Sequence, residues 1–286
     1  MRLISYGQPG RERPGLLREQ TVVPLEDLDP GSTSVRVALA ENRLPLIRSR
    51  LATWTGKSLP LSMLRLGPPL PDARKIICIG LNYRGHAIEQ KKPWPKQPLL
   101  FAKTNNTLAG PYEDVAVPAG CRGDYEVELA VVIGRRTQAV PPSEALGSIG
   151  GYMVANDISA RRWQHEDGQW FRAKSCDGFF PCGPCLVTPD EVPEPSALRL
   201  TTTIGGEVLQ DAVLSDLIHP LEQLISYISR TITLEPGDII STGTPAGVGA
   251  FRSPPRALAE GEVVECAIEG LGVLRNRITV LPGPEA

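Results

Sequence analysis

Asp124-Tyr125-Glu126-Val127-Glu128-Leu129-Ala130-Val131-Val132-Ile133 carries the strongest strand signal in this chain. Neither proline nor glycine interrupts it, and β-branched and aliphatic side chains dominate its second half. Alternation along an extended backbone puts Glu126 and Glu128 on one face, with Val127, Leu129 and Val131 on the other. Two carboxylates roughly 7 Å apart on one strand repel each other unless something cationic lies between them. A hard cation with oxygen ligands would resolve that repulsion, and the solvated face of an edge strand would avoid it altogether. The stretch alone leaves both open.

Working outward, further strands are expected at Lys75–Gly80, Leu99–Lys103, Gly151–Asn156, Leu198–Ile204, Glu207–Gln210, Asp238–Thr242, Val263–Glu269 and Val273–Val280. Gly205-Gly206 supplies a hairpin turn between two of them. Helices are few, the clearest at about Pro220–Ser229, where Leu221, Leu224, Ile225 and Ile228 recur at helical spacing. Residues 1–70 form a small, strand-poor N-terminal domain with one helix near Leu44–Leu51, and the stiff run Gly67-Pro68-Pro69-Leu70-Pro71 leads into a second domain, 71–286. The expected class is α+β, β-dominated, and not a doubly wound nucleotide-binding fold.

The chain has 286 residues, with 30 basic against 32 acidic side chains, so it lacks the positive footprint of a nucleic-acid partner. No stretch approaches the ~18 apolar residues of a membrane span, and the first residues lack the apolar core of a secretory signal, which predicts a cytoplasmic protein. Six cysteines are too sparse for a disulfide scaffold and are expected as thiols. Cys182-Gly-Pro-Cys185 copies a redox dithiol motif, but that chemistry needs the first cysteine at a helix N-terminus. A proline-flanked turn before a strand at Leu186-Val187-Thr188 is expected instead.

A third acid, Asp157, ends the apolar run Gly150-Gly-Tyr-Met-Val-Ala-Asn156, where it could serve a site or cap a helix over Ile158–Trp163. His86 and Glu89 are spaced for contact on one helical turn. His165 and His219 read as structural or solvated. Gly243-Thr-Pro-Ala-Gly-Val-Gly249 lacks the Lys-Ser/Thr ending of a P-loop.

GLNYRGHAIE (80–89), DYEVELAVVIG (124–134), GGYMVANDISAR (150–161), AKS (173–175) and STGTPAGVG (241–249) occur in that order. Over about Lys75–Val280 the chain thereby resembles the fumarylacetoacetate hydrolase family. The run from Gln164 to Val192, with that from Arg252 to Gly272 and the opening MRLISYGQPGRERPG, is similar to the bacterial branch that includes 2,4-diketo-3-deoxy-L-fuconate hydrolases. Asp177-Gly178 departs from the aspartate-threonine pair common there, and Cys182 and Cys185 stand where bulkier apolar residues are usual.

The resemblance implies a mixed β-sandwich roll, usually a homodimer, with Mg²⁺ or Mn²⁺ held by Glu126, Glu128 and Asp157. It assigns His86 and Glu89 the role of a catalytic dyad and Lys174 that of a catalytic cation. Arg161 and Gln164 line the substrate pocket, and the Thr244 hydroxyl with neighbouring amides holds a substrate carboxylate. A solvated helix face is the alternative for Arg161 and Gln164. The implied reaction is metal-dependent hydrolysis of a carbon–carbon bond in a β-diketo acid, an acylpyruvate or 2,4-diketo-3-deoxy sugar acid, releasing pyruvate or a related 2-oxo acid. A decarboxylase, tautomerase or lyase acting on a 2-oxo acid such as oxaloacetate uses the same metal chemistry. Retention of Glu126, Glu128, Asp157, His86 and Lys174 together argues against a catalytically silent scaffold.

Overall fold

A computed structural model describes residues 1–282; positions 283–286 of the expected second domain lie outside the described residues. Val127–Ile133 is a strand buried on both faces, at the heart of the larger sheet. Its alternation is realised as two cores. Val127, Leu129 and Val131 pack into one with Leu200, Val264, Ile268 and Leu274 of a second sheet, while Ala130 and Val132 join the other with Val35, Ala38 and Ile47 of the N-terminal helices. Burial of both faces excludes a solvated edge.

The large sheet runs, in spatial order, through strands Leu59–Pro60, Thr21–Pro24, Arg13–Arg18, Arg2–Tyr6, Phe180–Val187, Ile149–Asn156, Val127–Ile133, Ile239–Ser241, Ile76–Gly80 and Leu99–Lys103. The second sheet orders Glu207–Val213, Arg199–Ile204, Val263–Ile268, Gly272–Leu281 and Val115–Pro118. The result is a β-dominated α+β sandwich. Among the described residues no helix is long and apolar enough to cross a membrane.

Two expectations need correction. Residues 1–70 are not strand-poor: Arg2–Tyr6 pairs with Phe180–Val187 through Leu3↔Leu186, and Arg13–Arg18 and Thr21–Pro24 continue the sheet from there. Strands buried on both faces lack the period-two signature, and Pro14-Gly15 inside one of them mimics a turn. Cys182-Gly-Pro-Cys185 is likewise the middle of the Phe180–Val187 strand, not a turn before one.

Strand direction explains where the site forms. Val127–Ile133 runs antiparallel to both of its neighbours, Ile149–Asn156 and Ile239–Ser241, and the latter runs parallel to Ile76–Gly80. The beginning of the first strand therefore meets the ends of the other three. Glu126, Asp157, the loop after Ser241 and the segment after Gly80 converge at one end of the sheet.

Candidate active site

Glu126, Glu128 and Asp157 are buried, and each offers an oxygen within 4.8 Å of the other two. Their surroundings differ. Glu126 binds Lys174 Nζ through Oε2 at 2.6 Å and Arg161 through Oε1. Burial alone would raise its pKa, but Arg161 and Lys174 outweigh that and hold it at about 2. Asp157 takes Lys103 Nζ on Oδ1 at 2.6 Å and Lys174 Nζ on Oδ2 at 2.7 Å. Glu128 has only neutral donors, the Ser241 hydroxyl at 2.6 Å and the Gly243 amide at 2.9 Å, both on Oε2. Burial, with Asp157 and Glu126 nearby, pushes it well above the usual carboxylate range.

This set fits a divalent metal. Three carboxylates without sulfur or imidazole make a hard-cation donor set, and Glu128 is a buried, repelled charge that a cation would stabilise. Asp157 does not cap a helix: its carboxylate faces two lysines. Lys174 is buried, and although burial alone would lower it, Asp157 and Glu126 raise it, so it stays a cation.

The second component lies on the short helix Arg84–Glu89. His86 Nδ1 is 2.9 Å from Glu89 Oε2, and a carboxylate offers only acceptors, so Nδ1 carries the hydrogen. That leaves Nε2 as a base, to which the Gln90 amide donates at 2.7 Å. Glu89 also accepts the Gly247 amide at 2.9 Å through Oε1. Gly247 has φ +102°, and a Cβ there would lie 2.0 Å from the Leu209 carbonyl oxygen, so only glycine permits this approach.

Glu126, Glu128 and His86 line one cavity of about 450 Å³, together with Arg161, Gln164, Lys174 and Thr244, while Asp157 and Glu89 stand behind that wall and touch it through Lys174 and His86. Arg161 sits on the helix Arg161–Glu166, donating to Asp124 Oδ2 at 2.8 Å and to Gln164 Oε1 at 3.0 Å. It is not on a solvated face. Thr244 departs from expectation in one respect. Its hydroxyl donates to Val127 O at 3.0 Å and accepts from Gln210 Nε2 at 2.8 Å, so it already has protein partners.

Four further residues build the site. Lys103 ends the otherwise apolar Leu-Leu-Phe-Ala-Lys strand, and a lysine there was the only sequence sign of it. Asp124 opens the decapeptide and accepts the Gly249 and Ala250 amides at 2.8 and 3.0 Å besides Arg161. Ser241 begins the quoted STGTPAGVG segment. Gln210, from the second sheet, accepts Val127 N at 3.0 Å and the Thr202 hydroxyl at 2.8 Å through Oε1, while Nε2 donates to Thr244 and to Pro245 O at 2.9 Å. No sequence pattern marks Gln210.

Cys182 and Cys185 are buried free thiols. Burial raises both, Cys185 to about 11, the opposite of the thiolate character redox catalysis needs. A Cys182→Ala/Cys185→Ala protein is expected to turn over at the wild-type rate without added reductant. A folded double variant that is inactive would restore the redox role.

The family described as Fumarylacetoacetate (FAA) hydrolase C-terminal matches residues 75–279. Oxaloacetate tautomerase FAHD2A, mitochondrial, of Bos taurus is 38% identical over 97% of this chain and 91% of its own length. The 5-carboxymethyl-2-hydroxymuconate delta-isomerase of Mycobacterium smegmatis superposes with a TM-score of 0.78 at 34% identity, covering 98% and 99% of the two chains. Maleylpyruvate hydrolase from Sphingobium sp. SYK-6, solved in complex with manganese(II) ion and pyruvate, superposes at 0.82 with 26% identity, covering 99% and 100%. With its matching segment spanning most of the sandwich and every element of the carboxylate centre, this chain is an enzyme of the fumarylacetoacetate hydrolase family.

Proposed function

We propose that this enzyme moves a proton at the carbon beside the keto group of a small 2-oxo acid, and that keto–enol tautomerisation of an oxaloacetate-type substrate is its reaction. The observation that carries it is the placement of His86 and of Glu126 and Glu128, two members of the three-carboxylate centre, on one cavity. A divalent cation held by Glu126, Glu128 and Asp157 would polarise the keto group of a bound 2-oxo acid, making the adjacent C–H bond acidic. His86 then takes that proton on Nε2 in the keto-to-enol direction and returns it in the reverse one. Glu89 keeps the imidazole oriented and stabilises its charged form. Gln90 must swing away from Nε2 as substrate enters. Lys174 and Arg161 hold Glu126 and Asp157 in place and supply positive charge to the cavity wall.

Carbon–carbon hydrolysis of a β-diketo acid is the second reading. It is favoured by the likeness to a hydrolase solved with manganese and pyruvate, and the same dyad suits activation of a water. The two are separated by assaying Mg²⁺-loaded protein for loss of enol absorbance with oxaloacetate and for pyruvate release from acylpyruvates. Faster tautomerisation is expected; pyruvate release as the dominant activity, with no effect on the enol, would exchange the two readings.

A further inference from the structure

Once the charged pairs of the cavity are assigned, its wall is left with unused cationic capacity. Among the described residues, Glu126 and Glu128 are the only acids lining it, and both belong to the buried carboxylate centre. Arg161 and Lys174 are engaged with Asp124, Glu126 and Asp157. Lys92 and His165 also line the cavity, are exposed, and have no ion pair or side-chain hydrogen bond among the described residues. The cavity wall thus includes the buried Glu126, Glu128 and Lys174 and the exposed Lys92 and His165, with Leu99, Phe101 and Trp170 as apolar surface of the same wall.

The Lys92 backbone is fixed by a helix-ending turn. Lys91 has φ +53°, its amide donates to Ile88 O at 2.9 Å, and the Lys92 amide donates to Ala87 O at 3.0 Å. This pair of reversed bonds closes the helix that bears His86 and Glu89. The position of Lys92 is therefore tied to that of the dyad.

We infer that Lys92, backed by His165, is the specificity determinant that pairs with the second carboxylate of the oxaloacetate-type substrate. Leu99 and Phe101 offer such a carboxylate no donor and Trp170 offers one neutral N–H, whereas the exposed Lys92 ammonium offers a full positive charge. Pairing there also draws the dyad helix onto the substrate, because Lys92 terminates it. The inference rests on the 2-oxo acid reading proposed above.

The test uses Mg²⁺-loaded full-length protein and calorimetric titration with three unreactive probes. Oxalate presents only the metal-facing head; N-oxalylglycine adds a distal carboxylate; oxalylglycinamide replaces that carboxylate with its neutral amide. Wild-type protein is expected to bind N-oxalylglycine about five- to tenfold more tightly than oxalylglycinamide, a preference that shrinks with added salt. Lys92→Met should bring the two affinities together and Lys92→Arg should restore the gap, with oxalate affinity unchanged throughout. Equal affinities in the wild type, or a gap that survives Lys92→Met, would overturn the Lys92 assignment alone. No binding of oxalate by the wild type would overturn the 2-oxo acid reading, and this inference with it.

Discussion

Alanine in place of Asp157 is expected to abolish turnover and to destabilise the fold by about 3–5 kcal/mol, because removing one partner leaves buried charges uncompensated. Lys103 and Lys174 both point at this carboxylate, and both side chains are buried. Glu128→Gln should behave in the opposite way. Its amide removes a charge that burial and two acids oppose, and the amide oxygen can still accept from Ser241 and Gly243. The metal-free Glu128→Gln protein is expected to melt no lower than wild type, yet to lose both activity and the rise in Tm that Mg²⁺ gives the native protein. Melting curves in EDTA and in excess Mg²⁺ check both variants. Full turnover by Asp157→Ala after exhaustive chelation, or an undiminished Mg²⁺ effect on Glu128→Gln, would remove these carboxylates as the metal site.

His86→Ala should lower tautomerisation by roughly 10²–10⁴-fold, the range over which a positioned base accelerates proton transfer. Metal affinity should not change, since His86 is bonded to Glu89 and Gln90 and to none of Glu126, Glu128 and Asp157. Any decarboxylation of oxaloacetate should be largely spared, because carbon dioxide departs without proton abstraction at carbon. Assaying both reactions on one preparation gives an internal control for folding. Equal losses in the two, with melting unchanged, would place His86 in substrate binding and not in proton transfer.

What the sequence disclosed follows from how side chains report on structure. Glu126 and Glu128 stood out because charge on alternate positions of an apolar strand is anomalous, and the structure places both in one centre. His86 and Glu89 were visible because one helical turn joins them. Lys103 and Gln210 were hidden for a common reason: each reaches a partner more than fifty positions away, Asp157 for Lys103 and Val127 for Gln210, and no local spacing encodes such a contact. The N-terminal strands escaped notice because burial on both faces erases alternation. Thr244 was found, but the use of its hydroxyl depends on Gln210, which the sequence did not bring beside it.

Gln210 also predicts where length changes in the chain would be felt. It faces the site because the hairpin carries a register shift between Thr202 and Thr203, which pairs Thr202 with Gln210 but Thr203 with Val208. Deleting a residue from 207–209 could preserve the hairpin while turning the next side chain to the opposite face, since strand side chains alternate. The amide that joins Val127, Thr244 and Pro245 would then be lost. Insertions at the exposed Gly205-Gly206 turn leave that pairing untouched. Among homologous chains, the hairpin tip should therefore vary in length while the interval from the register shift to Gln210 does not. Exchange of Gln210 for glutamate should be rare as well, because a carboxylate would set acceptors against Pro245 O.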